Sequence, residues 1–154
     1  MKQFKGRPVV AGSCTAPALV SHSGFNTLAS FQGALQFGDL PVIGSKYKQT
    51  ECDDQNNKDL YRKPMLGKAL CLPQTIGSTT GGMILFTANV MGKCPACLLF
   101  SEHIDSLAAA GAALSAVWSE SPMPVVDCLG QEFLDTVKDG DNITVSEDGT
   151  VTIG

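Results

Sequence analysis

Residues 69–91 place the strongest constraint on the fold, because an apolar run, a turn of small residues and a helix-like run follow one another directly. Residues 69–72 are all apolar and predict a buried strand, and residues 83–91 predict a helix. The turn between them, residues 73–82, contains three glycines, one serine and three threonines. A strand–loop–helix step directs free backbone N–H groups at whatever lies in front of it, so this turn predicts an anion-accepting site.

Ser78 in this turn has two interpretations. The hydroxyls of Ser78 and Thr79 suit the start of a helix, and a helix cap is the commoner role of such residues. The alternative is a catalytic role for Ser78. The turn has no lysine, which excludes a nucleotide-binding phosphate loop. Thr80 stands where a nucleophile elbow requires glycine, so that motif is also missing.

Length and charge restrict the class of protein. A chain of 154 residues with 44% hydrophobic residues predicts one domain, residues 1–154. The net charge of −4 and the scattered basic residues predict no nucleic-acid partner and no membrane-surface partner. Residues 1–8 lack the apolar core of a secretory signal, and no apolar run reaches membrane-spanning length. We therefore expect a cytoplasmic protein.

The N-terminal part gives the weaker structural signals. Residues 7–11 and 17–21 predict two short strands, separated by a hairpin or bend at residues 12–15. Residues 25–37 show no clean period and predict loop and irregular strand. Residues 44–63 carry mixed charges and predict a solvated loop or a weak hairpin.

The C-terminal part gives clearer signals. Residues 97–100 and 124–127 predict buried strands. Between them, residues 104–118 predict a helix with one apolar or small face; Ser101 or Ser106 starts this helix, and Trp118 lies in the core. Residues 141–153 alternate with period two around a turn and predict a hairpin.

Together these elements predict a mixed α/β domain. The preceding helix runs from about Thr79 to Met91, and Gly92 follows its end. Because strands and helices alternate in the middle of the chain, we expect the middle strands to be parallel, with helices on a face of the sheet.

Cys94 and Cys97 form a Cys-x-x-Cys motif, which suggests either a redox pair or half of a zinc site. A redox pair needs its first cysteine at a helix N-terminus, whereas these cysteines follow a helix and lead into a strand. A zinc site needs further ligands, and neither His22 nor His103 has a suitably spaced neighbour. We expect reduced, packed thiols, with Cys71, Cys97 and Cys128 in or beside apolar strands, and no metal site in this chain.

The order of these segments resembles the swivelling-domain small subunit of the aconitase X family, a relative of the swivel domains of aconitase and isopropylmalate isomerase. The resemblance covers most of the chain. The matching segments are RPVVAG at 7–12, PALVS at 17–21, SFQG at 30–33, GKALCLP at 67–73, GSTTG at 77–81 and PACLL at 95–99.

The resemblance implies a β/β/α swivelling domain with a mixed sheet, helices and a C-terminal β-hairpin. It implies a larger partner subunit that holds an iron or iron–sulfur centre on its own cysteines. The matching position of the family's serine base is Ser78, and Gly77, Thr79, Thr80 and Gly81 would bind substrate or shape the turn.

The resemblance also implies a hydro-lyase acting on a small hydroxy acid. Thr80 stands where aconitase has a substrate-binding arginine, which argues against a tricarboxylic acid. The aconitase X branch acts on cis-3-hydroxy-L-proline, the first expectation here, or on phosphomevalonate, the alternative. Two other classes stay open: a non-catalytic anion-binding module, and a thiol-redox protein acting through Cys94 and Cys97.

Overall fold

The structure is a computed structural model that describes the backbone of residues 1–154 and every side chain except that of Lys46. Ten strands are present. They are β1 Lys2–Lys5, β2 Arg7–Val10, β3 Cys14–Val20, β4 Phe25–Asn26, β5 Ala69–Leu72, β6 Thr75–Ile76, β7 Cys97–Phe100, β8 Val125–Asp127, β9 Asn142–Val145 and β10 Thr150–Ile153. The helices are α1 Thr27–Phe37, α2 Gly81–Val90, α3 Ser106–Trp118 and α4 Gln131–Thr136, with a 3-10 helix at Ile43–Tyr47.

Eight strands are hydrogen-bonded in the order β1-β10-β9-β3-β5-β7-β8-β2. From β3 to β8 all neighbours are parallel, and β2 pairs with β8 antiparallel at the edge. On the other side of β3, the strands β9, β10 and β1 pair antiparallel. The prediction of parallel middle strands and of a C-terminal hairpin is therefore confirmed.

Two apolar clusters, one on each face of the parallel strands, hold the layers together. Along β5, Leu70 and Leu72 join the cluster that includes Leu85 of α2 and Ala108 of α3. The alternate residues of β5 join the second cluster, which contains inward side chains of β9 and β10 and Phe133 of α4. Because successive side chains of a strand point to opposite faces, four apolar residues in a row supply both layers. The architecture is β/β/α, as expected.

The N-terminal predictions need correction. Residues 25–37 are not loop and irregular strand: they form the short strand β4 and the helix α1. Asn26 caps α1 by accepting a hydrogen bond from the Ala29 backbone N–H at 3.1 Å. The helix shows no clear period in the sequence, because Gly33 and the aromatic residues interrupt the pattern. Phe31, Gly33 and Ala34 are all buried, and the helix has no charged face.

Residues 44–63 are also more ordered than predicted. Cys52 and Leu60 are fully buried and belong to the helix-side core cluster. Residues 49–52 pair with residues 62–66 through the antiparallel bridge between Glu51 and Pro64 and through four backbone hydrogen bonds, so the weak hairpin is present. Residues 12–15 do not form a hairpin, because β2 pairs with β8 at the edge of the sheet while β3, which begins at Cys14, pairs with β9 and β5 in its middle.

The start of α3 and the place of Trp118 differ from prediction as well. Asp105, and neither Ser101 nor Ser106, is the N-cap of α3. The Trp118 side chain is not in the core, since 69% of its surface is exposed. None of the described helices has the length and apolar character needed to cross a membrane.

Helices α2 and α3 touch through two glycines. A Cβ atom on Gly111 would lie 2.6 Å from the Cα of Gly82, which is closer than packed atoms approach. A Cβ on Gly82 would likewise collide with the Leu107 carbonyl oxygen. This contact sets the distance between the N-terminal halves of α2 and α3.

We predict that Gly111→Ala lowers the free energy of unfolding by about 1–3 kcal/mol, because the added methyl group must push backbone against backbone. Urea unfolding followed by circular dichroism measures this change. Gly154→Ala is the matched control, because its Cβ would meet its nearest atom at 3.8 Å. Equal stability of Gly111→Ala and wild type would show that the helices separate without cost.

Candidate functional site

The parallel strands bring three loops to one edge of the sheet. The chain leaves β5, β7 and β8 at their carboxyl ends, which lie side by side. Helices α2 and α3 begin at this edge, so their positive N-terminal ends both face it. The predicted turn, residues 73–80, is held there by the two-stranded β4–β6 pairing and by the Phe25 N–H, which donates to the Gln74 carbonyl at 2.9 Å.

A cavity of about 220 Å³ opens at this edge. Ser78, Gly77 and Gly81, three of the predicted site residues, line it; Thr79 and Thr80 are not among its lining residues. The remaining lining residues are Thr27, Thr75, Ile76, Asp105, Leu107 and Ala108. The structure thus brings the predicted serine together with residues from the starts of α1, α2 and α3.

Ser78 is oriented by Thr80. The Ser78 Oγ lies 2.6 Å from the Thr80 Oγ1 and accepts a hydrogen bond from the Thr80 backbone N–H at 3.1 Å. Helix α2 begins at Gly81, and the capping position is Thr80, which makes no side-chain cap bond. The interpretation of Ser78 or Thr79 as a simple helix cap is therefore wrong. The Ser78 hydroxyl lies just before the positive end of α2, with both Thr80 groups able to donate to it.

Asp105 supplies the charge of the cavity. Its Oδ1 accepts hydrogen bonds from the backbone N–H groups of Leu107 at 2.9 Å and Ala108 at 3.0 Å. Its Oδ2 accepts from the Thr75 hydroxyl. Of the described residues that line the cavity, Asp105 alone carries a charge, and the N-terminus of α3 offsets it. This chain therefore contributes no cation to the cavity wall.

Gly77 gives the turn its shape. Its φ of +97° lies in the region that favours glycine, and an added Cβ would lie 2.7 Å from the Asn26 Nδ2. Asn26 is the residue that caps α1. One side chain therefore both starts α1 and packs against the residue before Ser78.

Sequence reasoning missed Thr27, Thr75 and Asp105. Asp105 could have been found, because an aspartate just before a helical period is a strong N-cap signal. Thr27 and Thr75 gave no such signal. They meet only because β4 pairs with β6 across about 50 residues of chain, a contact that no local pattern shows.

A second polar cluster lies at the same edge, outside the cavity. Arg7 donates to the two oxygens of buried Asp127, from Nε at 2.9 Å and from Nη2 at 2.6 Å. Burial alone would raise the pKa of Asp127, but the hydrogen bonds from Arg7 and from the Ile104 N–H outweigh it and hold the pKa below its ordinary value. His103 lies exposed beside Arg7, 3.1 Å from its Nη2. The cluster anchors the segment before α3.

His22 lies apart from both groups. Its ring Nδ1 lies 3.7 Å from the Asp59 Oδ2, and its backbone N–H donates to the same carboxylate at 2.8 Å.

The cysteines do not form a redox pair. All six are free thiols, and Cys94 packs on the helical side of the sheet while Cys97 lies in the opposite cluster. Burial raises the pKa of the Cys94 thiol, and a hydrogen bond with Cys14, followed by burial, raises that of Cys97. Cys128 is exposed, contrary to expectation. Among the side chains that the structure describes, no three histidine, cysteine or acidic residues form a metal-binding group, so the donor set does not fit an iron centre on this chain.

The β/β/α architecture and the serine-bearing turn before a helix define a swivelling domain. A family model described as "Aconitase X swivel domain" matches residues 3–153, and the chain belongs to this family.

Relatives and solved structures agree with this assignment. The chain is 32% identical over 151 residues to the phosphomevalonate dehydratase small subunit of Methanocella arvoryzae, covering 98% of this chain and 96% of that protein. It is 26% identical to the corresponding subunit of Aeropyrum pernix, covering 98% and 92%. The crystal structure of Thermococcus kodakaraensis aconitase X in its holo form superposes with a TM-score of 0.79 at 22% identity, covering 100% of this chain and 99% of that one. This last likeness concerns the fold.

We predict that Gly77→Ala destabilises the chain by more than the roughly 1–2 kcal/mol expected from a positive φ alone, because the methyl group also meets Asn26. Gly67→Ala is the matched control: Gly67 has a φ of +68°, but its Cβ would meet nothing within 4 Å. Chemical denaturation of both variants gives the difference. Equal losses would mean that Asn26 moves aside freely and does not fix the turn.

Proposed function

We propose that this chain is the small, swivelling subunit of an aconitase X-type dehydratase and that Ser78 is its proton-abstracting group. One observation carries the proposal: Ser78 lines the cavity just before the N-terminus of α2, and its Oγ is hydrogen-bonded to both polar groups of Thr80. A hydroxyl placed in this way can be stabilised as it loses its proton. The relatives named as dehydratase small subunits support the reaction class.

The reaction removes water from two neighbouring carbons. The C–H bond beside the carboxylate breaks, its proton goes to the Ser78 alkoxide, which becomes a hydroxyl, and its electron pair forms the C=C bond. The C–O bond of the next carbon breaks with its electron pair, and the departing hydroxide takes a proton from solvent and leaves as water. Ser78 then releases the proton that it accepted to solvent, which restores the alkoxide. A free serine hydroxyl is a weak base, so its conjugate alkoxide must be stabilised by the Thr80 N–H, the Thr80 hydroxyl and the positive end of α2.

The proposal requires a larger partner subunit. The cavity is open, and its described lining offers one carboxylate and no cation. A hydroxy acid carries a carboxylate of its own, which Asp105 would repel. The cationic groups that bind this carboxylate must therefore come largely from the partner subunit. The family resemblance assigns an iron or iron–sulfur centre to the large subunit, which agrees with the misfit of this chain's own donors.

Two substrates follow from the proposal. The first is cis-3-hydroxy-L-proline, whose ring ammonium suits a cavity in which Asp105 is the charged residue. The second is phosphomevalonate, supported by the names of the archaeal relatives. Assaying the purified two-subunit complex on both compounds decides between them. A kcat/KM at least about 100-fold higher for one compound identifies the substrate, and no turnover of either would exclude both.

We predict that Ser78→Ala lowers kcat by about 10²–10⁴-fold, the usual contribution of a general base, while the chain still folds and joins its partner. The removed Oγ makes its described hydrogen bonds only to Thr80, two residues away, so little stability depends on it. Steady-state kinetics of the complex, with thermal unfolding and native mass spectrometry on the same sample, measure the three properties separately.

Two matched variants sharpen the test. Thr80→Val removes the hydroxyl partner of Ser78 and lowers kcat, whereas Thr80→Ser keeps a hydroxyl and retains most of the activity. Ser146→Ala, in the exposed turn between β9 and β10, is the neutral control. Substantial turnover by Ser78→Ala would remove Ser78 from the mechanism.

A further inference from the structure

Helices α2 and α3 have a composition that is unusual for helices at a protein surface. Over Gly81–Val90 and Ser106–Trp118 neither helix contains a charged residue. A surface helix normally turns a charged or polar side to water and an apolar stripe to the core. Here the core side is already filled, by Leu85 and Ala88 of α2 and by Ala108 and Ala112 of α3. Packing against the core therefore does not explain why the outward side lacks charged residues.

The outward side is apolar. We define the apolar helix face by Met83, Val90, Leu107, Val117 and Trp118, whose exposed fractions run from 42% to 74%. On α3 the exposed Leu107, Ala110 and Val117, with half-buried Leu114 between them, follow helical spacing and form one stripe. Exposed apolar side chains that occur singly are ordinary, but a stripe along two adjacent helices marks an interaction surface.

The apolar helix face is continuous from one end of the two helices to the other. At the C-terminal ends, Val90 and Trp118 line the same groove of about 420 Å³. Phe86 of α2 meets Trp118 edge-on, with ring centroids 6.3 Å apart. At the N-terminal ends, Leu107 lines the Ser78 cavity. The face thus begins at the mouth of the proposed active site.

We infer that the apolar helix face is the docking surface of the large, catalytic subunit, from the mouth of the Ser78 cavity to Trp118. The inference rests on the proposed function, because a subunit that completes the cavity must contact its rim at Leu107. From that rim to Trp118 the two helices carry no charged residue, and the first charge, Glu120, lies beyond Trp118 in the lining of the C-terminal groove. An uncharged apolar surface suits a permanent subunit interface, in which the buried centre is depleted of charge.

A second copy of this chain is a poorer occupant. Because the face includes Leu107 at the rim, a copy that covered it would also cover the mouth of the cavity and shut Ser78 away from substrate. The large subunit instead brings the missing wall of the cavity with it. Trp118, the largest exposed apolar residue of the face, is the expected main contact, since tryptophan is enriched among residues that dominate binding energy.

The test uses Val90→Lys and Trp118→Lys at the far end of the face from Ser78. Lysine near a helix C-terminus is favourable for the helix, so both variants should fold. Glu147→Lys, in the exposed turn between β9 and β10, adds a lysine away from the face and is the matched control. Association with the purified large subunit is measured by native mass spectrometry and calorimetry, the fold by circular dichroism, and turnover separately.

We expect each variant at Val90 or Trp118 to weaken association with the large subunit by at least about 30-fold and Glu147→Lys to leave it unchanged. Association within about threefold of wild type for both variants would overturn the inference. So would a wild-type chain that forms dimers by itself, if Trp118→Lys separates those dimers while the complex still assembles. A complex that needs the face but shows no dehydratase turnover would overturn the proposed function and leave the docking surface standing.

Discussion

The parallel pairing of β3, β5, β7 and β8 is the constraint on which the rest of this structure depends. Parallel strands need crossover connections, and here each crossover contains a helix that packs on the same face of the sheet. All three helices therefore begin at the carboxyl edge. The N-terminal ends of α2 and α3, the Ser78 turn and the Asp105 cap come together for this reason, and the bond of Thr75 to Asp105 joins the turn to the cap.

The close contact of Gly82 with Gly111 adds precision to this arrangement. Without side chains at these two positions the N-terminal halves of α2 and α3 approach until backbone meets backbone. The Ser78 cavity lies at that narrow end, between Gly81 of α2 and Ala108 of α3. At the C-terminal ends of the two helices Phe86 packs edge-on against Trp118. The two glycines thus set the spacing of the helices at the cavity, and the large apolar residue Trp118 is exposed at the opposite end.

The distance along the chain between interacting residues decides how much of the fold and of the site can be predicted from the sequence. The strands β5, β7 and β8 and the helices α2 and α3 show their period within a few residues, and the turn that contains Ser78 follows from the strand–loop–helix pattern. The catalytic role of Ser78 stays a prediction that comes from the family resemblance. The helix α1 was missed because its glycine and phenylalanine face the core and its outward face lacks charge. Thr27 and Thr75 were missed because the pairing that joins them links distant segments.

The misplacement of Trp118 shows where local reasoning fails for a physical reason. An apolar residue at the right helical spacing predicts burial, and burial is indeed what its chemistry favours. In this chain the sheet-facing side of α3 is occupied by Ala108 and Ala112, and Trp118 and Val117 lie on the outward side. The hydrophobic pattern of α3 thus describes two surfaces at once, one packed against the sheet and one that is exposed in this chain. A sequence pattern indicates that a residue favours burial, but it does not show whether the same chain or another molecule buries it.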